Sequence, residues 1–278
     1  MKYIDAIKGS SVALVVFIVL SAVIPGGSQI SSVETILTIS TFLFAILAGF
    51  FISRLNQRYN DIRELISLED AYLLSLYRTA KIFGQKFTDS IVEKIDKYYL
   101  ISFDSEITNY YKQTAPCLEE IYEALYAIKE KSGDNTYASM ITTLSLIEEK
   151  RNKNSVISQE RIRKSQWAVL ILLTVIILFC LFYINTHLFS SQFLLVMLST
   201  IQVLVLFTIR DLQNLRLGGG IMPVMESGQE VLESMGKLRY YNQKLVKQGG
   251  MEIPKHVKTY RLGLHNPGET MKIKIVKG

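Results

Sequence analysis

A stripe of small and polar residues follows one face of an otherwise apolar segment near the N-terminus. Glu34, Thr38, Thr41, Ala45 and Ala48 recur at alternating steps of four and three residues. This spacing brings side chains onto one face of an α-helix. Hydroxyl and carboxylate groups aligned in this way can line a water-filled path for ions. The pattern therefore predicts a pore-lining surface, with Glu34 at its mouth.

Three bulky apolar residues, Phe51, Ile52 and Leu55, stand at the charged end of the same segment. A ring of such side chains would form a hydrophobic constriction that gates the path. The stripe also suits close packing of membrane helices, because small residues let two backbones approach and Thr hydroxyls bond across the interface. Both interpretations, pore lining and helix packing, remain open from the residues alone.

The residues that enzymes use for chemistry do not form a recognisable set. His187, His256 and His265 lack a second ligand at the spacing of a metal site. Gly218, Gly219 and Gly220 lack the Lys-Ser/Thr of a phosphate-binding loop, so they predict a hinge after the last apolar segment. The sequence predicts no enzyme activity, no cofactor and no metal.

Three pairs of adjacent acidic residues also occur, each with basic residues nearby in sequence. Such neighbours do not stack on a helix, so we expect ordinary solvated faces. The pairs are Glu69 with Asp70, Glu119 with Glu120, and Glu148 with Glu149.

Long uncharged runs show which elements must position these residues. No charged side chain occurs between Glu34 and Arg54 or between Lys164 and Arg210, and residues 9–33 are uncharged as well. Residues 35–53 would form a helix of roughly 28 Å, which matches a hydrocarbon core of about 30 Å. The run 165–209 has one polar cluster, at 185–192, and predicts two spans near 167–184 and 192–209. A first span lies near 7–24; a signal peptide is its alternative, but residues 21–25 offer no small-x-small cleavage site.

The basic residues predict how these four spans are oriented. All 31 Lys and Arg lie in the first ten residues, in 54–164 or after 209. Cations concentrate on the cytoplasmic side of a membrane. We therefore expect a multi-pass protein of the inner (plasma) membrane, with both termini and the middle segment in the cytoplasm. The net charge of +6 then indicates contact with membrane lipids and not with nucleic acid.

The fold class predicted is an all-α membrane protein: four transmembrane helices, with a cytoplasmic helical bundle inserted between spans 2 and 3. Apolar periodicity continues from Leu55 to about Gly84, so the second span should extend into this bundle. Pro116 should begin a further helix and Gly133 should end it. A last helix, from about Ser155, should run unbroken into the third span. The expected domains are 1–53, 54–165, 166–210 and 211–278.

The C-terminal residues show a different pattern. A helix is expected over 223–247, and the alternation in 257–264 and 271–276 predicts a small β-hairpin. Residues 251–278 hold six Lys or Arg and two acidic residues. This basic element would touch lipid headgroups, add a strand to a neighbouring subunit, or remain a solvated tail.

The segment LAGFFISRLNQRYN at 47–60, followed by Glu69, Ala71, Leu74 and Leu76-Tyr77-Arg78, resembles the bacterial bestrophin-like membrane proteins. So does the exit from the fourth span, from Arg210-Asp211 to Gly218-Gly219 and Glu226. The resemblance implies a homo-oligomeric ion channel, with a pentamer favoured, in which the second span lines the axis. The channel would conduct inorganic ions, and the sign of their charge is undetermined. The alternative is a membrane-anchored interaction or signalling module without conduction.

Overall fold

The computed structural model describes residues 4–27, 30–128, 135–217, 220–221, 225–247, 251–266 and 269–277. Within these ranges the chain is mostly helical, with a few short strands in its last quarter. Contacts divide the chain into two compact units. The first comprises Met1–Tyr59 and Arg161–Gly219, and the second Asn60–Glu160 and Gly220–Gly278. The predicted helix end at Gly133 and the first two glycines of the predicted hinge lie outside the described residues.

Among the residues that the structure describes, four helices are long and apolar enough to cross a membrane. They begin or end close to the predicted spans. These helices are α1 (Ala6–Val23), α2 (Ser31–Ala80), α7 (Lys164–Tyr183) and α8 (Phe189–Gln213). The predicted number of apolar helices is confirmed.

Helix α2 continues well beyond its apolar part, as the periodicity predicts. It runs without a break for 50 residues. A 3₁₀ turn, Lys81–Phe83, follows it, and Gly84 then ends the helical path with φ +95°. This region of φ is open to glycine and strained for most other residues.

The first unit is built around close contact between α1 and α8. A Cβ atom placed on Gly9 would lie 2.4 Å from the ring of Phe207, so any other residue here would require that ring to move. The apolar core of the unit combines residues of all four apolar helices, including Phe17, Phe44, Leu170 and Ile209.

In the second unit, the end of α2 packs with four helices of the middle segment of the chain. Their apolar faces meet around buried residues such as Leu73, Tyr98, Ile121 and Leu144, which the helical periodicity predicts. Pro116 lies in the first turn of its helix, where its missing N–H costs nothing. The helices are α3 (Gln85–Asp104), α4 (Tyr110–Gln113), α5 (Ala115–Tyr126) and α6 (Asn135–Gln159).

The predicted unbroken helix from Ser155 into the third span is wrong. Helix α6 ends at Gln159 and α7 begins at Lys164, so residues 160–163 are not helical. The backbone of Arg163 is extended, and its N–H donates to the side chain of Gln166 at 2.9 Å. A side chain that satisfies a backbone N–H in this way starts a new helix.

The predicted helix over 223–247 is also wrong, because two short helices and a strand occupy its described part. Helix α9 (Glu226–Ser234) is followed by Gly236 with φ +77°, then strand β3 (Tyr240–Asn242) and α10 (Gln243–Lys247). Two-residue strands β1 (Arg216–Leu217) and β2 (Gly220–Ile221) precede α9. The left-handed backbone at Gly236 ends α9.

The predicted β-hairpin is confirmed. Strands β4 (Thr259–Gly263) and β5 (Ile273–Lys277) pair antiparallel. Strand β3, which the sequence did not predict, pairs parallel to β4, so the sheet has the order β3-β4-β5. The fold is therefore mostly helical with a small sheet, and not all-α.

Candidate functional site

One face of α2 packs against the other helices of the first unit. Its buried residues recur at steps of three and four, so they share one side of the helix. They are Ser40, Phe44, Ala48, Phe51, Leu55 and Arg58. This face fixes the orientation of α2 about its own axis.

A second face carries most of the predicted pore stripe. Glu34, Thr38, Thr41 and Ala45 are exposed, and Ile52 is half-buried. At about 100° per residue, these positions lie about a quarter turn from the packed face. The stripe is therefore uncovered within a single copy of the chain.

The remaining surface of α2 before Arg54 is strongly apolar. Six large side chains are each more than two-fifths exposed there, which suits contact with lipid. They are Ile36, Ile39, Phe42, Leu43, Ile46 and Phe50. Helix α2 thus has three distinct faces: packed, small and polar, and large and apolar.

The small and polar face can present oxygen atoms to water or ions. The Thr38 hydroxyl donates to the Glu34 carbonyl at 2.9 Å, which directs its proton to the backbone and leaves oxygen lone pairs as acceptors. Gly49 adjoins this face, and a Cβ atom there would meet no atom within 4 Å. Contacts within the chain therefore do not explain why position 49 is glycine.

The three predicted constriction residues do not share one environment. Phe51 and Leu55 are buried in the core of the first unit, as is Ala48 of the predicted lining. Only Ile52 retains exposed surface next to the polar stripe. Within one chain, Ile52 is thus the candidate for a residue that faces an open path, and Phe51 and Leu55 support α2 from behind.

The prediction that Glu69 and Asp70 form a solvated pair is wrong. Both lie in the part of α2 that belongs to the second unit, and they are only 3% and 4% exposed. Glu69 accepts hydrogen bonds from the hydroxyls of Tyr98 and, at 2.8 Å, Tyr110. These tyrosines come from other helices, so the sequence around Glu69 does not reveal them.

Asp70 is held in a similar way and lines a small cavity. It accepts a hydrogen bond from Tyr99 at 2.8 Å and another from Ser227 in α9. The cavity has a volume of about 50 Å³, and Glu69 and Tyr110 also line it. Two adjacent carboxylates are thus bound mainly by neutral hydroxyl groups.

Burial changes the acidity of this group of side chains. Desolvation raises the pKa of Glu69 above its usual range, although the bonds from Tyr98 and Tyr110 oppose it. Desolvation also raises the pKa of Asp70 to about 7, against the opposing bond from Ser227. A buried carboxyl favours its neutral form because the charged form loses its hydration. Asp70 is therefore poised to change charge near neutral pH.

A second buried polar cluster joins α3 to the C-terminal sheet. His265 Nε2 lies 2.7 Å from Asp104 Oδ2, and the Tyr240 hydroxyl donates to the same carboxylate at 2.9 Å. Asn242 donates to Asp104 at 2.9 Å as well. His265 is 161 residues from Asp104 along the chain, so no local spacing signals this pair. Within the described residues, no group of three or more His, Cys, Asp or Glu could hold a metal ion.

Comparison with solved structures shows the fold. A bacterial bestrophin homolog from Klebsiella pneumoniae, carrying a single substitution, matches with a TM-score of 0.65 and 11% identity, over 87% of this chain and 99% of that one. Another structure of that homolog matches with a TM-score of 0.62 and 12% identity, over 84% and 98%. A protein described only as a membrane protein variant matches at 0.65 and 13%, over 83% and 100%. No curated protein matches this chain.

Sequence identities of 11 to 13% do not assign the chain to a family. A family model does assign it. The model of the Bestrophin-like domain matches residues 9–215, which is well over half of the 278 residues. The match includes all four apolar helices and most of the helices of the second unit. This membrane protein therefore belongs to the Bestrophin-like family.

Proposed function

We propose that this chain assembles with copies of itself into an ion channel of the bacterial inner membrane. The observation that carries the proposal is the face of α2 formed by Glu34, Thr38, Thr41 and Ala45, which is small, polar and uncovered in one chain. Lipid would not solvate such a face well, since bilayer hydrocarbon offers no partner for polar groups. Copies arranged around an axis would place these faces toward a shared water-filled path.

Each of the three faces of α2 has its own role in this assembly. The packed face supports the helix, the polar face lines the path, and the large apolar residues contact lipid or a neighbouring subunit. A ring of Glu34 carboxylates would concentrate cations at the mouth. Ile52 would form the narrowest apolar part of the path, with Phe51 and Leu55 behind it. The pentamer implied by the family is the proposed stoichiometry, and inorganic ions are the cargo.

Conduction of the purified protein is the direct test. Intact oligomers incorporated into planar bilayers should pass current in steps of uniform size. The measurement would cover a range of voltage, pH and calcium concentration. Oligomers that stay silent under all these conditions would overturn the proposal and favour a membrane-anchored interaction or signalling module.

Cysteine accessibility tests the lining separately. The substitutions Thr38→Cys and Thr41→Cys are made in a chain whose Cys117 and Cys180 are replaced by Ala. Both new thiols should react with a small, membrane-impermeant reagent, because the proposed path is filled with water. Leu43→Cys, on the large apolar face, is the matched control and should stay protected by lipid or a neighbouring subunit. Equal protection of all three positions would argue against a lining role for α2.

A further inference from the structure

Gln213, the last residue of α8, joins three apolar helices of the first unit. Its side-chain Oε1 accepts from the backbone N–H of Ile162 at 3.2 Å and from Trp167 Nε1 at 3.0 Å. Its backbone carbonyl accepts from Arg58 Nη1 at 2.9 Å. One residue therefore contacts α2, the start of α7 and the segment that precedes α7.

The bond from Arg58 reaches the part of α2 nearest the proposed constriction. Arg58 is buried, and it lies on the packed face one helical turn after Leu55. A guanidinium at the C-terminal end of a helix satisfies a carbonyl that has no partner within the helix, and it interacts favourably with the helix dipole. The bond from Arg58 thus holds this part of α2 against the end of α8.

The side chain of Gln213 binds the end of α8 to a second neighbour, the region where α7 begins. One amide oxygen accepts two N–H groups, and both belong to the region where α7 begins. If that oxygen is removed, both donors lose their protein partner at once, which is costly in a partly buried place. Fewer contacts then fix the position of the end of α8. Because Arg58 binds this end, the position of α2 changes as well.

We infer that Gln213 is a positioning residue for the channel constriction. It locks the end of α8 to α7, and through Arg58 it sets the position of α2 at Phe51, Ile52 and Leu55. This inference rests on the proposed function, because a constriction has meaning only in a conducting assembly. The positional part has a readout of its own, since Trp167 is the single tryptophan of the chain.

Tryptophan fluorescence tests the contact without any need for conduction. Gln213→Ala should shift the emission of Trp167 to longer wavelength and make acrylamide quenching faster, because water replaces the lost amide oxygen beside the indole N–H. Gln213→Glu keeps an Oε1 acceptor and should retain the emission of the unmodified protein. Asn214→Ala removes the exposed neighbouring amide and is the matched control; it should leave the emission unchanged. Identical spectra for all variants would overturn the assigned contact.

The position of α2 is tested by the reactivity of a thiol at the constriction. Ile52→Cys, in the chain without Cys117 and Cys180, should react at a different rate when Gln213→Ala is added. Its rate should be unchanged when Gln213→Glu or Asn214→Ala is added. A rate that ignores Gln213→Ala, although the emission of Trp167 shifts, would show that the contact only fastens α7 and would overturn the inference.

Gating completes the test and separates the inference from the proposed function. In bilayers, Gln213→Ala should change the ratio of open to closed channels roughly tenfold, which corresponds to about 1.4 kcal/mol; Gln213→Glu should restore it. Normal gating in Gln213→Ala, in channels that conduct, would overturn the inference alone. If the unmodified protein never conducts, the proposed function fails, and the Trp167 and Ile52→Cys measurements still decide whether Gln213 positions α2.

Discussion

Asp70 is a carboxyl group whose surroundings favour the neutral form. Two hydroxyl groups, from Tyr99 and Ser227, donate to it, and the carboxylate of Glu69 adjoins it. Desolvation raises its pKa to about 7. A protonated Asp70 must donate its own proton, so one of the two hydroxyls has to turn and accept. The hydroxyl of Ser227 rotates more freely than that of Tyr99. The contact between Asp70 and α9 is therefore the one that changes with pH.

This environment predicts a pH dependence of stability. The folded pKa of Asp70 lies above its unfolded value near 3.8, so the folded chain binds more protons than the unfolded chain between these values. The stabilisation is fully present below the unfolded pKa and is lost as pH rises through about 7. Asp70→Asn stays neutral throughout. Relative to the unmodified protein, it should therefore gain about 2 kcal/mol of unfolding free energy between pH 5 and pH 8.

The measurement is unfolding of the detergent-solubilised protein across this pH range. Glu64→Gln, an exposed acidic position on the same helix, is the control and should follow the profile of the unmodified protein. Parallel profiles for Asp70→Asn and the unmodified protein would contradict a carboxyl that titrates near neutrality.

The C-terminal sheet shows what holds a small element in place. Strand β3 is buried, whereas β5 is largely exposed. Arg261 in β4 donates two hydrogen bonds to Asp96 of α3, at 2.7 and 2.8 Å, and a third to the Leu238 carbonyl. A paired arrangement of this kind is stronger than a single contact and also fixes geometry. The sheet is therefore attached to α3 by specific polar contacts as well as by apolar packing.

Removal of this attachment should weaken the sheet selectively. Arg261→Ala should lower the unfolding free energy by about 2 kcal/mol, because the loss of a charged partner leaves Asp96 partly buried and unpaired. Amide hydrogen exchange in β4 and β5 should increase more than in α3. Lys258→Ala, an exposed position just before β4, should change neither quantity. Unchanged exchange in Arg261→Ala would mean that apolar packing alone holds the strands.

At the scale of the whole molecule, membrane topology follows from the distribution of charge. The loop between α7 and α8 contains no Lys or Arg, whereas the middle segment and the chain after residue 209 contain most of them. Cations on one side of four spans favour the arrangement with both termini in the cytoplasm. We propose this orientation in the inner membrane, with Thr186 on its outer side and Asn152 in the cytoplasm.

Thiol labelling from outside should detect this arrangement. In the chain without Cys117 and Cys180, Thr186→Cys should react with an impermeant maleimide in cells with an opened outer membrane. Asn152→Cys, at an equally exposed position, should react only after the inner membrane is permeabilised. Labelling of both before permeabilisation would refute the proposed orientation.

Local patterns in the sequence determined the apolar helices, the long α2, the helices α3, α5 and α6 of the second unit, and the terminal hairpin. Each depends on periodicity, charge or a single proline or glycine, which act over a few residues. The polar stripe from Glu34 to Ala45 was visible for the same reason, because helix geometry relates its members directly.

Only the tertiary structure decided which faces are covered. It buried Ala48, Phe51 and Leu55 beside the exposed stripe, placed Glu69 and Asp70 among tyrosines, added β3 to the hairpin and ended α6 at Gln159. These features depend on partners from distant parts of the chain, such as Ser227 for Asp70 or Gln213 for Trp167. Residue spacing along one helix carries no information about which other helix approaches it. The spacing therefore could not predict burial or long-range hydrogen bonds.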